Sequence, residues 1–180
     1  MAIRNFAELE NFVAGLAPIA VAVAAAADGD VLGSLLRARR KGFVGRCFLC
    51  GDPERVRDCL ERTGGEWGDC IVLPAGDDAA AAREAVRAVR EDGAALLVKG
   101  SLKSEYYLRA ILDRDAGIRA SAALSNLSLF EMPSYHKFLA MTDNAIVPGP
   151  SLEDKVVFIE NTRPLWRALG VAPVKVGLLA

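Results

Sequence analysis

A chain of 180 residues, 52% hydrophobic and 25% charged, is long enough to bury a sizeable core and has the composition of a globular protein. With 22 Lys and Arg against 23 Asp and Glu, its formal net charge of −1 provides no field that would draw it to nucleic acid or to an acidic membrane. The longest apolar run, Leu16 to Ala27, contains Pro18 and falls short of the roughly 20 residues a membrane helix needs, and the first ten residues lack the pattern of a signal peptide. The expectation is a soluble cytoplasmic protein that binds neither nucleic acid nor membrane.

Helix and strand patterns alternate along the chain. Phe6, Leu9, Phe12, Val13 and Leu16 have helical spacing, and Ile19 to Ala27 reads as a first strand. Asp28-Gly29-Asp30 opens a helix whose end, Arg37 to Lys41, places cations where the helix dipole favours them, with Gly42 as the stop. A second strand over Arg46 to Cys50 runs into a helix with Pro53 at its first position, where proline is tolerated. A third strand, Cys70 to Leu73, precedes an alanine-rich helix from Asp77 to Glu91. A fourth, Ala94 to Val98, precedes a helix from Lys103 to Asp113.

The rhythm then changes. Ser121 to Phe130 and Lys137 to Met141 read as strands with a short connection, hence an antiparallel pair. Ser151 and Asp154 form a near capping box for a helix reaching Leu169, which Pro164 should kink or split. Val174 to Leu179 reads as a last apolar strand. Alternating strands and helices imply an α/β fold, a mostly parallel sheet with helices on both faces. The change of rhythm places a boundary near Arg119, giving a first α/β domain over 1–118 and part of a second over 119–180.

Four cysteines stand at 47, 50, 59 and 70. Cys47-Phe-Leu-Cys50 has the form of a zinc or redox pair, but on a strand residues three apart point to opposite faces. Buried structural thiols are the expectation, and no metal site is assigned.

In parallel sheets ligands gather beyond the carboxyl ends of the strands, and Lys99-Gly100-Ser101 lies at one such end. Gly100 would let a ligand approach the backbone, and the first N–H groups of the following helix attract anions. Ser101 and Ser104 add hydroxyl donors, Lys99 a point charge and Arg109 a planar fork suited to phosphate. Against this, Ser101 can be a plain N-cap and Arg109 can pair with Asp113. Thr142 and Asp143 offer a hydroxyl and a carboxylate at another strand end, although an Asp there also caps its own turn. Ser125, polar in an apolar context, either satisfies a neighbouring backbone group or lines a cleft. His136, the single histidine, reads as a surface residue. The spacing by itself indicates an α/β protein with a possible phosphate or CoA-type anion site.

Leu97-Val-Lys-Gly-Ser-Leu-Lys-Ser104 followed by Leu108-Arg109 resembles the strand–Lys-Gly–loop–helix signature of the phosphate acetyl/butyryltransferases. Leu124-Ser125, Phe130-Glu-Met-Pro133, Thr142-Asp143, Leu152-Glu-Asp-Lys155, Glu160-Asn161, Ala168-Leu-Gly170 and Pro173 to Ala180 follow in that family's order. Val21 to Ala26 and Gly51-Asp52 fit as well. The resemblance implies an acyltransferase that exchanges a short acyl group between CoA and inorganic phosphate, using both as substrates and no cofactor. It also implies a fold like that of the isocitrate/isopropylmalate dehydrogenases, a cleft between two domains, and a homodimer or a complementing chain as partner. Lys99, Gly100, Ser101, Ser104, Arg109, Ser125, Thr142 and Asp143 are the substrate-binding residues expected from these readings. Family members continue beyond the point matched by Ala180, and their serine–arginine pair and aspartate lie there, so no catalytic residue is assigned. A non-catalytic subunit that binds acyl-CoA or acyl phosphate is the alternative.

Overall fold

The computed structural model describes residues 2–65 and 67–179; of the closing motif, Ala180 lies outside them. In chain order the elements are α1 (Phe6–Ala14), β1 (Ile19–Ala24), α2 (Gly29–Arg40), β2 (Val44–Gly51), α3 (Pro53–Thr63) and β3 (Cys70–Pro74). They continue with α4 (Asp78–Glu91), β4 (Leu96–Lys99), α5 (Ser104–Leu112), β5 (Ser128–Phe130), β6 (Leu139–Met141) and α6 (Leu152–Ala168). The chain divides into two compact units, residues 16–119 and a second formed by 1–15 with 120–180.

The first unit is a four-stranded sheet in the order β3-β2-β1-β4, every pair parallel. Alternation along β1 explains why both faces are covered. Val21 and Val23 point to one side, where Leu32 and Leu35 of α2, Val56 and Cys59 of α3 and Leu49 of β2 complete a core. Ala22 and Ala24 point to the other, against Ala81, Ala82, Ala85 and Val86 of α4 and Ala110 of α5. Small side chains on both partners let α4 approach the sheet closely. Cys47 joins the first core and Cys50 the second, so the two thiols of Cys47-Phe-Leu-Cys50 diverge as strand geometry requires. All four cysteines are free.

Successive strands step from β1 to β2 to β3, and the chain then crosses over through α4 to place β4 on the far side of β1. The reversal makes β1/β4 the switch point, where open parallel sheets hold their ligands at the carboxyl edge. Asp28, Asp52 and Asp77 each cap the helix that begins at that edge.

In the second unit β5 and β6 pair antiparallel through Ser128↔Met141, Leu129↔Ala140 and Phe130↔Leu139. The N-terminal helix belongs here. Phe6 meets Phe138 edge-on at 5.0 Å, the Phe6 N–H donates to Glu131 at 2.7 Å, and the Ile3 N–H donates to the Leu169 carbonyl at 2.8 Å. At the start of α6 both bonds of the Ser151–Asp154 capping box form.

Three expectations need correction. The strand expected over Ser121 to Phe130 is confined to Ser128–Phe130. Upstream, side chains occupy the backbone groups that a ladder would use: Asn161 Nδ2 donates to the Ala123 carbonyl at 3.0 Å, and the Asn126 N–H donates to Asp143 at 2.9 Å. Val174 to Leu179 is irregular, with Val176, Leu178 and Leu179 exposed, because no strand among the described residues pairs with it. Pro164 does not split its helix, which runs unbroken over Leu152–Ala168 with buried Phe158 and Leu169 on either side of the proline. No helix among the described residues is long and apolar enough to cross a membrane.

Candidate functional site

Lys99 closes β4, and the next two residues are fastened to the end of β1. The Gly100 N–H donates to the Ala24 carbonyl at 2.8 Å and the Ser101 N–H to the Ala25 carbonyl at 3.1 Å. A Cβ on Gly100 would collide with the Ala24 and Ala25 carbonyls. Glycine is therefore required for the approach of β1, and the space expected for a ligand over this residue is filled by backbone. Ala25 turns the chain out of β1 with a left-handed φ of 55°, rare for a residue that carries a Cβ.

Lys99, Ser101 and Ser104 are exposed around the start of α5. Ser101 is not the cap of this helix. Its N-cap is Lys103, which makes no side-chain capping bond. Helices α1, α2, α3, α4 and α6 each have a side-chain oxygen accepting from the first turn. Among the described residues α5 alone leaves that turn without a side-chain acceptor. Tyr107 orients the helix by donating to the Leu97 carbonyl at 3.0 Å. Arg109, 71% exposed, pairs with Glu105 one turn back at 2.6 Å and not with Asp113.

A cavity of about 110 Å³ opens at the same edge, lined by the ends of β1, β2 and β3 and by Ser101. Its floor is small (Ala25, Ala27, Gly51, Ala75, Gly76, Ala81) and its charged residues are Asp52, Asp77, Asp78 and Arg55. Asp52 Oδ1 accepts the N–H groups of Glu54 and Arg55 at 2.9 and 3.1 Å, and Asp77 Oδ1 accepts that of Ala80 at 2.7 Å. Three carboxylates against one guanidinium repel a phosphate, and the helix N-termini that could have received it are already capped. Of the residues expected from the sequence, Ser101 alone lines this cavity. Gly51-Asp52 was singled out only as part of the resemblance, and the other lining residues are routine strand ends or N-caps on their own; the signal was that parallel strands bring Gly51-Asp52 and Gly76-Asp77 to one edge.

Ser125, Thr142 and Asp143 belong to the second unit. Ser125 Oγ accepts from Asn161 Nδ2 at 3.0 Å, so this hydroxyl holds the segment to α6. Asp143 gathers the N–H groups of Asn126, Ala145, Ile146 and Val147, the last at 2.7 Å. Burial works to raise its pKa, but these backbone donors together hold it below the usual carboxylate value. The carboxylate shapes its own loop. Thr142 Oγ1 is buried without a hydrogen-bond partner. His136 is exposed beside Tyr135.

No family model matches the chain. Over most of its length it is similar to phosphate butyryltransferases and phosphate acetyltransferases. It is 27% identical to the phosphate butyryltransferase of Clostridium beijerinckii over 168 residues, 93% of this chain and 55% of that protein. It is 29% identical to the probable phosphate butyryltransferase of Bacillus subtilis (89% and 52% covered) and 29% identical to the phosphate acetyltransferase of Thermotoga maritima (88% and 53%). The crystal structure of a branched-chain phosphotransacylase from Enterococcus faecalis shares the fold, with a TM-score of 0.69 at 22% identity, over 85% of this chain and 52% of that one. The chain thus spans about half the length of the relatives it matches.

Proposed function

We propose that the protein transfers a short acyl group between CoA and inorganic phosphate, with the first turn of α5 as the seat of the phosphate. The observation that carries this reading is the uncapped N-terminus of α5 beside Lys99 and Lys103, within a chain similar to phosphate acyltransferases. An uncapped helix start attracts an anion through its N–H groups and dipole, and two ammonium groups add charge.

In one direction the CoA thiolate attacks the carbonyl carbon of an acyl phosphate, and the carbon–oxygen bond to phosphate breaks. In the other, a phosphate oxygen attacks the thioester and the thiolate leaves. Either way negative charge gathers on phosphate oxygens, which fixed donors stabilise. Lys99, Ser101 and Ser104 would donate to them, and Arg109 would exchange its exposed Glu105 partner for the ligand. Asp143 and Ser125 would keep the loops of the second unit in shape. The cavity at the β1–β3 ends, too small and too acidic for the phosphates of CoA, suits an uncharged part of that substrate bearing N–H or O–H donors. The same reading takes CoA and phosphate as substrates with no metal or prosthetic group, and the protein as a cytoplasmic dimer of the isocitrate/isopropylmalate dehydrogenase type. Its support is the ordered motif series from Lys99 onward.

Thiol release from butyryl-CoA tests the proposal. The expected result is saturable release that depends on phosphate, with Lys99→Met raising the KM for phosphate roughly tenfold or more, the worth of one charged hydrogen bond. Release that ignores phosphate, or none at all, would count against it.

A further inference from the structure

Cys47 and Cys70 are register partners on the adjacent parallel strands β2 and β3. Partners in a parallel pair point to the same face, and both side chains belong to the core beneath α2 and α3. Neighbouring strands lie about 4.8 Å apart, inside the Cα separation that a disulfide spans. The strands are fastened at this point, since the Cys47 N–H donates to the Asp69 carbonyl at 3.0 Å. The guanidinium of Arg39, held by a bond to the Gly45 carbonyl, reaches Cys47 Sγ at 3.8 Å. Cys47 is fully buried, whereas Cys70, at the start of the edge strand, is partly open to solvent.

We propose that Cys47 and Cys70 are an oxidative modification site, a dithiol that hydrogen peroxide converts to a disulfide tying β2 to β3. One thiolate of the pair attacks one peroxide oxygen. The O–O bond breaks, that oxygen stays on sulfur as a sulfenic acid, and the other leaves as hydroxide, which takes up the proton that thiol had released. The second sulfur then attacks the first, the S–O bond breaks, and the proton of the second thiol departs with the hydroxyl as a second water. Two thiols lose two electrons to one peroxide, giving one disulfide and two waters.

The electrostatics make Cys47 the more acidic thiol of the pair. A hydrogen bond from Cys70 comes first and the Arg39 cation adds to it; together they outweigh burial and the opposing charge of Asp69 and hold the Cys47 thiol below its ordinary value. Asp69 is itself paired with Arg46 at 2.8 Å. The thiol of Cys70 moves up, first through the bond to Cys47 and then through burial. Cys50, on the opposite face, is pushed up to about 12 by burial and is the inert control.

The experiment treats the protein with hydrogen peroxide, alkylates the remaining thiols and maps the peptides by tandem mass spectrometry. The expected product has lost two hydrogen atoms, links Cys47 to Cys70 and leaves Cys50 and Cys59 alkylated. Its formation rate should rise with pH as the pair gives up a proton, since the thiolate is the nucleophile. Arg39→Gln, which removes the cation beside Cys47 Sγ, should slow the reaction several-fold near neutral pH. Bonds to Cys50 or Cys59, oxygen added without a link, or four unreacted thiols would each overturn the proposal, and the mapping needs no variant to fold.

Discussion

A methyl group on Gly100 has no room, because carbonyl oxygens of β1 stand where it would be. Backbone cannot shift as cheaply as a side chain, so Gly100→Ala is expected to destabilise the protein by about 1–3 kcal/mol, read from urea unfolding. Asp143 makes a second prediction. Its folded pKa lies below its unfolded value, so its contribution to stability is complete above the unfolded value of about 3.9 and is lost as pH falls through the folded one. Asp143→Asn should lower the melting temperature at neutral pH and flatten its fall in acid; an unchanged acid limb would remove this carboxylate from the account. At this scale the close approach at Gly100 was legible, since a glycine after a strand marks one. What closes on that glycine was not, because Ala25 is 75 residues away and a sequence carries no sign of its left-handed turn.

Among elements, α5 differs from its neighbours by lacking a cap, and that difference was half visible. Asp28, Asp52, Asp77 and Ser151 are recognisable N-caps from residue type alone. Ser101 could be read the same way, and the actual start three residues later, behind Lys103, depended on where the loop was fastened to β1. The α6 helix makes the opposite case, since packing carries it through Pro164. The proline still denies the Glu160 carbonyl its intrahelical donor. Pro164→Ala should therefore raise stability, by up to about 3 kcal/mol and measured as melting temperature, and a decrease would mean the proline has a packing role. The irregular stretches at 121–127 and 174–179 were misread as strands because apolar composition shows that a segment can pair, not what its backbone bonds to: Asn161 and Asp143 take groups of the first, and no strand among the described residues pairs with the second.

For the molecule as a whole, strand order decides where a ligand can sit, and strand order is a product of crossovers that no single motif displays. Doubly wound topology puts the β1/β4 switch point, the acidic cavity and the α5 seat along one edge of the first unit. Three of the four helix starts at that edge carry their own carboxylate; the fourth does not. Charge thus divides the edge into a part that repels phosphate and a part where the proposed seat lies. Titrating acetyl phosphate into the protein by calorimetry, with Lys99→Met/Lys103→Met alongside, tests this division most directly. The expected result is saturable binding that weakens as salt rises and falls at least tenfold in the double variant, in keeping with two lost charged contacts. Equal affinity in the two proteins would contradict the assignment of the phosphate seat to α5.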